Sequence, residues 1–154
     1  MTAREWFEYI QYRVSHIADM ENDLAIMQAR SEVKGQSLEP MAVGGGSGDA
    51  SSELIGVIQA SQDLDAYKAQ TNREIGVALL VLYGRDNRGG LAKEKDTATA
   101  DCINAHYLMG MPWREVAKNF GAPDSKDGEQ WCKRRAYRGM EYIDRKGLVY
   151  LVYC

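Results

Sequence analysis

The chain has 154 residues, 45% hydrophobic and 27% charged, which excludes wholesale disorder, collagen-like repeats and a membrane protein and fits one domain, or one small domain with an appendage. Its net charge of −3 hides an asymmetry: residues 1–84 hold 6 Lys/Arg and 12 Asp/Glu, a balance of −6, while residues 85–154 hold 13 and 10, a balance of +3. The first half would repel a polyanion and the second would tolerate one, so the halves are expected to do separate jobs.

In chain order, residues 3–33 predict one long helix. One heptad seam is Ala3, Ile10, Ile17 and Leu24, and the other is Trp6, Arg13, Met20 and Met27, with Arg13 the single break in the apolar pattern. Thr2 with Glu5 three residues on makes a capping box, and no Pro or Gly intervenes until Gly35. Residues 34–51 contain five glycines and a proline and predict a flexible linker. The Gly44–Gly48 run has no following Lys-Ser/Thr, and Asp49 stands near where a cation would be needed, which argues against a phosphate loop.

Residues 52–83 predict a second helix with a seam of Leu54, Val57, Ser61, Leu64, Lys68, Thr71, Ile75, Ala78 and Leu82. Two matched helices joined by a loose loop favour an antiparallel hairpin. A hairpin has only one mutual seam, so Ile58 and Leu79 need another partner, supplied by the C-terminal part or by a second copy. A homo-oligomer, with a dimer favoured, is therefore expected.

Gly84–Gly90 reads as a turn and the domain boundary. A helix over 97–109 follows, with Ala98, Cys102, Ala105 and Met109 on one face and Gly110 as its stop. A shorter helix over 112–120 has Pro112 in its first turn and ends at Gly121. After a turn-rich stretch, a third helix covers 129–146 and stops at Gly147. The tail Leu148–Cys154 is expected as a strand or packing arm. The expected organisation is thus an all-α chain: a helical hairpin over 1–84, a helix-turn-helix domain over 91–147, and an apolar tail over 148–154.

The informative stretch is 111–144. A helix-turn-helix needs a short first helix, a small residue at the crossing and a glycine at the sharp turn. Counting Trp113 as first, Ala117 is fifth and Gly121 ninth, with Val116 and Phe120 facing the core. The turn from Gly121 to Glu129 is longer than the usual tight turn by about three residues. On the third helix, Cys132, Ala136, Met140 and Ile143 recur at helical spacing and are expected inward. Lys133, Arg134 and Arg138 are expected outward, with Arg135 at the margin. Such a face fits a duplex groove, where cations take phosphates or guanine edges. The expected DNA-contacting residues are Lys126, Gln130, Lys133, Arg134, Arg135 and Arg138; Val116, Ala117, Phe120, Gly121 and Ala136 are expected to hold the helix-turn-helix together.

Residues 101–121 followed by Cys132-Lys-Arg-Arg-Ala-Tyr-Arg-Gly-Met140 resemble the C-terminal helix-turn-helix of sigma-factor region four. They resemble more closely the phage-encoded sigma-like transcriptional regulators of the ArpU/RinA type. Those share the layout of a long helical N-terminal part, a connection and a sigma-like domain. The resemblance is specific over about 98–146 and is one of layout over 1–84. It implies an activator of phage late or packaging genes that binds double-stranded DNA, works with RNA polymerase and resides in the bacterial host's cytoplasm.

Little else carries chemistry. The cysteines Cys102, Cys132 and Cys154 are widely spaced without a C-x-x-C pair, so neither disulfides nor zinc are indicated and a reduced, cytosolic chain is expected. The N-terminus lacks the apolar core of a leader. His16 and His106, the only histidines, read as structural, and Cys132 as a buried, inert thiol. Trp113 and Trp131 suit packing between helices better than base stacking. No catalytic triad, metal carboxylate pair or dinucleotide fingerprint is present, so no enzyme activity, metal or cofactor is expected. Rival readings are a small terminase-like DNA-packaging protein and a helical interaction protein that does not bind DNA.

Overall fold

The computed structural model describes residues 1–36, 47–122 and 126–153. The described residues form seven α-helices and no strand: α1 Ala3–Gln36, α2 Ser47–Tyr83, α3 Gly90–Glu94, α4 Thr97–Ile103, α5 Trp113–Asn119, α6 Lys126–Lys146 and α7 Leu148–Tyr153. A 3-10 turn, Arg85–Asn87, precedes α3, and a π turn, Asn104–Leu108, extends α4. The expected all-α class holds. The second helix starts at Ser47 rather than near residue 52, so the linker expected over 34–51 is shortened from both sides; its centre, 37–46, and with it the first three glycines of the Gly44–Gly48 run, lies outside the described residues. The tail is a helical turn rather than a strand, anchored by Leu151, which is fully buried.

The chain forms two compact units, which part within the two long helices rather than at the 84–90 turn. One comprises residues 1–15 and 71–154, the other 16–70. In the second unit, α1 and α2 meet antiparallel: His16 lies edge-on to the Tyr67 ring at 5.4 Å, Glu21 pairs with Lys68, and Met27 lies beside Gly56. The seam residues Ile17, Met20, Leu24 and Met27 are only half-buried. Leu54, expected in the seam, is 54% exposed. Two helices alone offer most seam residues neighbours on one side only; Leu64 is the buried exception.

The first unit holds the core. Phe7 and Ile10 of α1 and Val81 and Leu82 of α2 pack with Leu91, Ile103, Val116, Met140 and Ile143, all fully or nearly fully buried. Each such side chain contributes about 1.5–3 kcal/mol relative to exposure. The start of α1 is fixed at both ends of its first turn. Thr2 and Glu5 form the expected capping box: the Thr2 N–H donates to Glu5 Oε2 at 2.7 Å, and the Glu5 N–H donates to Thr2 Oγ1 at 3.3 Å. The Ala3 N–H donates to Asp144 Oδ1 of α6 at 2.6 Å, which sets a carboxylate at the positive end of the helix dipole. Arg13 does not interrupt the seam. It is only 6% exposed, and its guanidinium donates to Thr71 Oγ1 at 3.1 Å and Tyr9 OH at 3.0 Å.

The π turn changes which face of its helix is buried. A π turn holds one residue more than an α turn and so rotates everything after it by about 100°. Tyr107 and Leu108, within the turn, are buried, and Met109, expected on one face with Ala98, Cys102 and Ala105, is exposed.

α6 approaches α4 closely at Gly139. A Cβ on Gly139 would stand 2.5 Å from Thr99 Cγ2, 3.1 Å from Ile103 Cδ1 and 3.2 Å from Leu91 Cδ2. Thr99 cannot swing aside freely, because its hydroxyl donates to Asp96 Oδ2 at 2.9 Å and accepts from Arg135 Nε at 3.2 Å. Gly139→Ala gains about 1 kcal/mol of helix propensity but overpacks this contact at a cost of about 1–3 kcal/mol. Urea denaturation of the variant is expected to show a net loss of stability with an unchanged m-value; equal or greater stability would show that the two helices part without penalty.

Candidate nucleic-acid interface

The surface expected to meet DNA is built on α5 and α6. Pro112 is the N-cap residue of α5, with φ −63° and ψ 148°, and not part of its first turn as expected. Val116 and Ala117 are buried where α5 meets α6. Gly121 has φ +65°, a conformation a side chain disfavours. There the Gly121 N–H bonds to Lys118 O at 3.0 Å and the Ala122 N–H to Ala117 O at 3.0 Å, closing the helix end. Phe120 is half-buried, its ring centroid 6.4 Å from that of Trp131. α6 begins at Lys126, not near Glu129, so the connection is shorter than the sequence suggested; residues 123–125 lie outside the described residues.

The inner face of α6 is as expected. Cys132, Ala136, Met140 and Ile143 are all buried, and Gly128 and Gly139, not anticipated, complete it. With that face fixed, the six expected contact residues separate. Lys126, Gln130, Arg134 and Arg138 are exposed and recur every four residues, so they follow one another along one side of the helix. Lys133 and Arg135 leave this row. Lys133 is partly buried, with Nζ 4.0 Å from Glu129, and its charge is felt at His106. Arg135 turns to α4: Nη2 donates to Asp96 Oδ1 at 3.1 Å, Nε donates to Asp96 Oδ1 and Thr99 Oγ1, both at 3.2 Å, and the guanidinium lies 4.7 Å from the Trp131 ring centroid.

Asp96 is thus both N-cap of α4 and counter-ion of Arg135. Burial pushes its carboxyl up, but the hydrogen bonds from the Thr99 N–H and hydroxyl and from Arg135 outweigh that and hold it below its ordinary range. Asp96 also lines a cleft of about 250 Å³ with Lys95, Thr99, Trp131, Arg135 and Arg138. Lys95, Asp96 and Trp131 escaped the sequence reading as site residues. A usable signal was present: Trp131, Arg135, Arg138, Tyr142 and Arg145 recur at i, i+4, i+7, i+11 and i+14, and Asp96 stands three residues before Thr99 as a capping residue does.

His106 has a structural role. Its Nδ1 is 2.7 Å from the Met111 carbonyl, which requires the proton on Nδ1 and leaves Nε2 to accept from the Gln11 amide at 3.3 Å. Its ring stacks on Trp113 at 3.9 Å. Burial lowers its pKa, and the neighbouring Lys133 acts in the same direction. His16 is half-buried. Cys102 and Cys132 are free thiols, buried and hydrogen-bonded to one another, and burial raises both, Cys102 to about 12.

Asp96 supplies a pH test. Its folded pKa lies below the unfolded value, so its contribution is present above about pH 4 and is lost as pH falls through the folded value. Asp96→Asn keeps a capping oxygen and is expected to flatten that acid limb. Asp96→Ala is expected to cost about 1 kcal/mol at neutral pH as well. Denaturation midpoints from pH 2 to pH 7 would check both. The chain matches no family model, no characterised protein and no solved structure among those it was compared with.

Proposed function

We propose that the chain binds duplex DNA through α6 and regulates transcription. One observation carries the DNA reading: Lys126, Gln130, Arg134 and Arg138 form an exposed row along a helix whose opposite face is buried. A row of that kind meets a major groove without reorganising the protein, because packing already holds the helix. Gln130 and Arg134 are early enough to meet base edges, and Arg138, a turn later, meets phosphate. Activation of phage or prophage genes together with RNA polymerase rests on the resemblance to sigma-like regulators alone.

A homodimer is the second part of the proposal. Ile26, Leu54, Ile55, Ile58, Val77 and Leu79 are exposed on α1 and α2, and a second copy is the simplest cover for them. No helix among the described residues is long and apolar enough to cross a membrane, so a bilayer-spanning role for these residues has no support.

Binding is to be measured with the full-length chain, since Phe7, Ile10 and Leu82 belong to the core beneath α6. Arg134→Ala is expected to cost about 1–3 kcal/mol on a selected site and less on scrambled duplex. Arg138→Ala should weaken both alike and lower the salt slope by about one. Ala136→Glu, at a buried position, should unfold the unit. No retention on any duplex at low salt would leave a helical interaction protein as the better reading.

Light scattering is expected to give a dimer, with Ile58→Asp shifted toward monomer. A monomeric wild type at high micromolar concentration would remove the dimer, and a closed ring of many copies would favour the packaging reading.

A further inference from the structure

Beside the exposed row of α6 lies a second group of cations that the sequence did not single out. Tyr142 is its centre. Its hydroxyl donates to Glu94 Oε2 at 2.9 Å, which fixes the ring against the end of α3. Around that ring stand Lys95 Nζ at 5.3 Å, the Arg145 guanidinium at 5.6 Å and Lys146 Nζ at 5.9 Å from the centroid. One turn earlier on α6, Arg138 shares with Lys95 the rim of the cleft whose wall is Asp96, Thr99, Trp131 and Arg135.

The charges of wall and rim differ in kind. In the wall, Arg135 is spent on Asp96, so that pair is close to neutral. On the rim, Lys95, Arg138 and Arg145 have no carboxylate within ion-pair distance among the described residues. An aromatic face attracts cations without neutralising them, so Tyr142 gathers Lys95 and Arg145 at one place and leaves their charge available. Lys95 follows α3, whereas Arg138 and Arg145 belong to α6, so the rim joins two elements whose spacing the α4–α6 contact fixes.

We propose that Lys95, Arg138 and Arg145, arranged around Tyr142 and the cleft beside α4, grip the phosphates of one DNA strand while the row Gln130–Arg134 meets the bases. The proposal rests on the DNA reading and deepens it. The ligand is a phosphodiester oxygen, which accepts N–H bonds from ammonium and guanidinium groups. Two of the three residues, Lys95 and Arg145, lie outside the helix-turn-helix contacts expected from the sequence. Arg135, which that expectation included, acts here as a tie to α4 and not as a contact.

The test is a salt titration of full-length protein on a mixed-sequence duplex of about two helical turns. Lys95→Ala and Arg145→Ala are each expected to lower the slope of log affinity against log salt by about one, and equally on selected and scrambled sequences. Tyr142→Leu, which keeps both charges but removes the platform, should weaken binding several-fold with the slope less changed. Lys93→Ala removes the same charge from an exposed position of α3 outside the cleft and should leave affinity and slope as in the wild type. If the wild type binds and Lys95→Ala and Arg145→Ala keep its slope, the grip is overturned while the DNA reading stands. If Lys93→Ala loses as much as Lys95→Ala, the effect is net charge and the grip is likewise overturned. If the wild type binds no duplex, the DNA reading itself fails.

Discussion

The exposed cationic side of α6 depends on how closely α6 can approach α4, and Gly139 sets that distance. At the crossing, the backbone of α6 lies against Thr99, Ile103 and Leu91 with no room for a methyl group. Such contact leaves α6 one rotational setting. In that setting Cys132, Ala136, Met140 and Ile143 are buried, and the row from Lys126 to Arg138 is left outside. A helix held by a looser contact could roll by a few tens of degrees, and its cations would then have no defined aim.

Polar ties lock the same setting at the middle and the end of α6. At its middle, Arg135 reaches the Asp96 cap of α4 and lies against Trp131, and Arg4 lies 4.7 Å from the Tyr137 ring centroid. Near its end, Asp144 holds the first turn of α1 through the Ala3 N–H. These bonds are part-exposed, so each contributes modestly to stability. Their larger effect is geometric, since apolar packing resists sliding less than directed hydrogen bonds do. The core of the unit also explains why the ends of the two long helices belong with α3–α7: without Phe7, Ile10 and Leu82 the inner side of the later helices would face water.

Most of the helices were legible in the sequence because helical periodicity and glycine stops are local signals. The capping box at Thr2, the stops at Gly110, Gly121 and Gly147, and the inner face of α6 all follow from residues within a turn or two of one another. What was not legible depends on distant partners or on small changes of backbone period. Arg13 looked like a fault in an apolar seam because its partner Thr71 is remote in sequence. Met109 was expected on one face with Cys102 because nothing local announces the extra residue of a π turn. Arg135, at the margin of the cationic face, was counted among the DNA contacts because its neighbours are cationic; only the fold brings Asp96 to it. Lys95 was passed over because its relation to Arg138 and Tyr142 exists only across the α3–α6 packing. That α6 has a buried inner face and an exposed cationic side was legible; the division of its cations into a row, a tie and a rim was not.

The buried pair Cys102 and Cys132 gives the α4–α6 contact a chemical clock. Both thiols are buried at the junction that positions α6, and burial raises the pKa of each. Alkylation requires a thiolate that the reagent can reach, so both sulfurs are expected to react through openings that expose them. The rate at which these two residues take up an alkylating reagent therefore reports on openings around that junction, residue by residue under mass-spectrometric mapping, with no reporter group built into the chain beforehand.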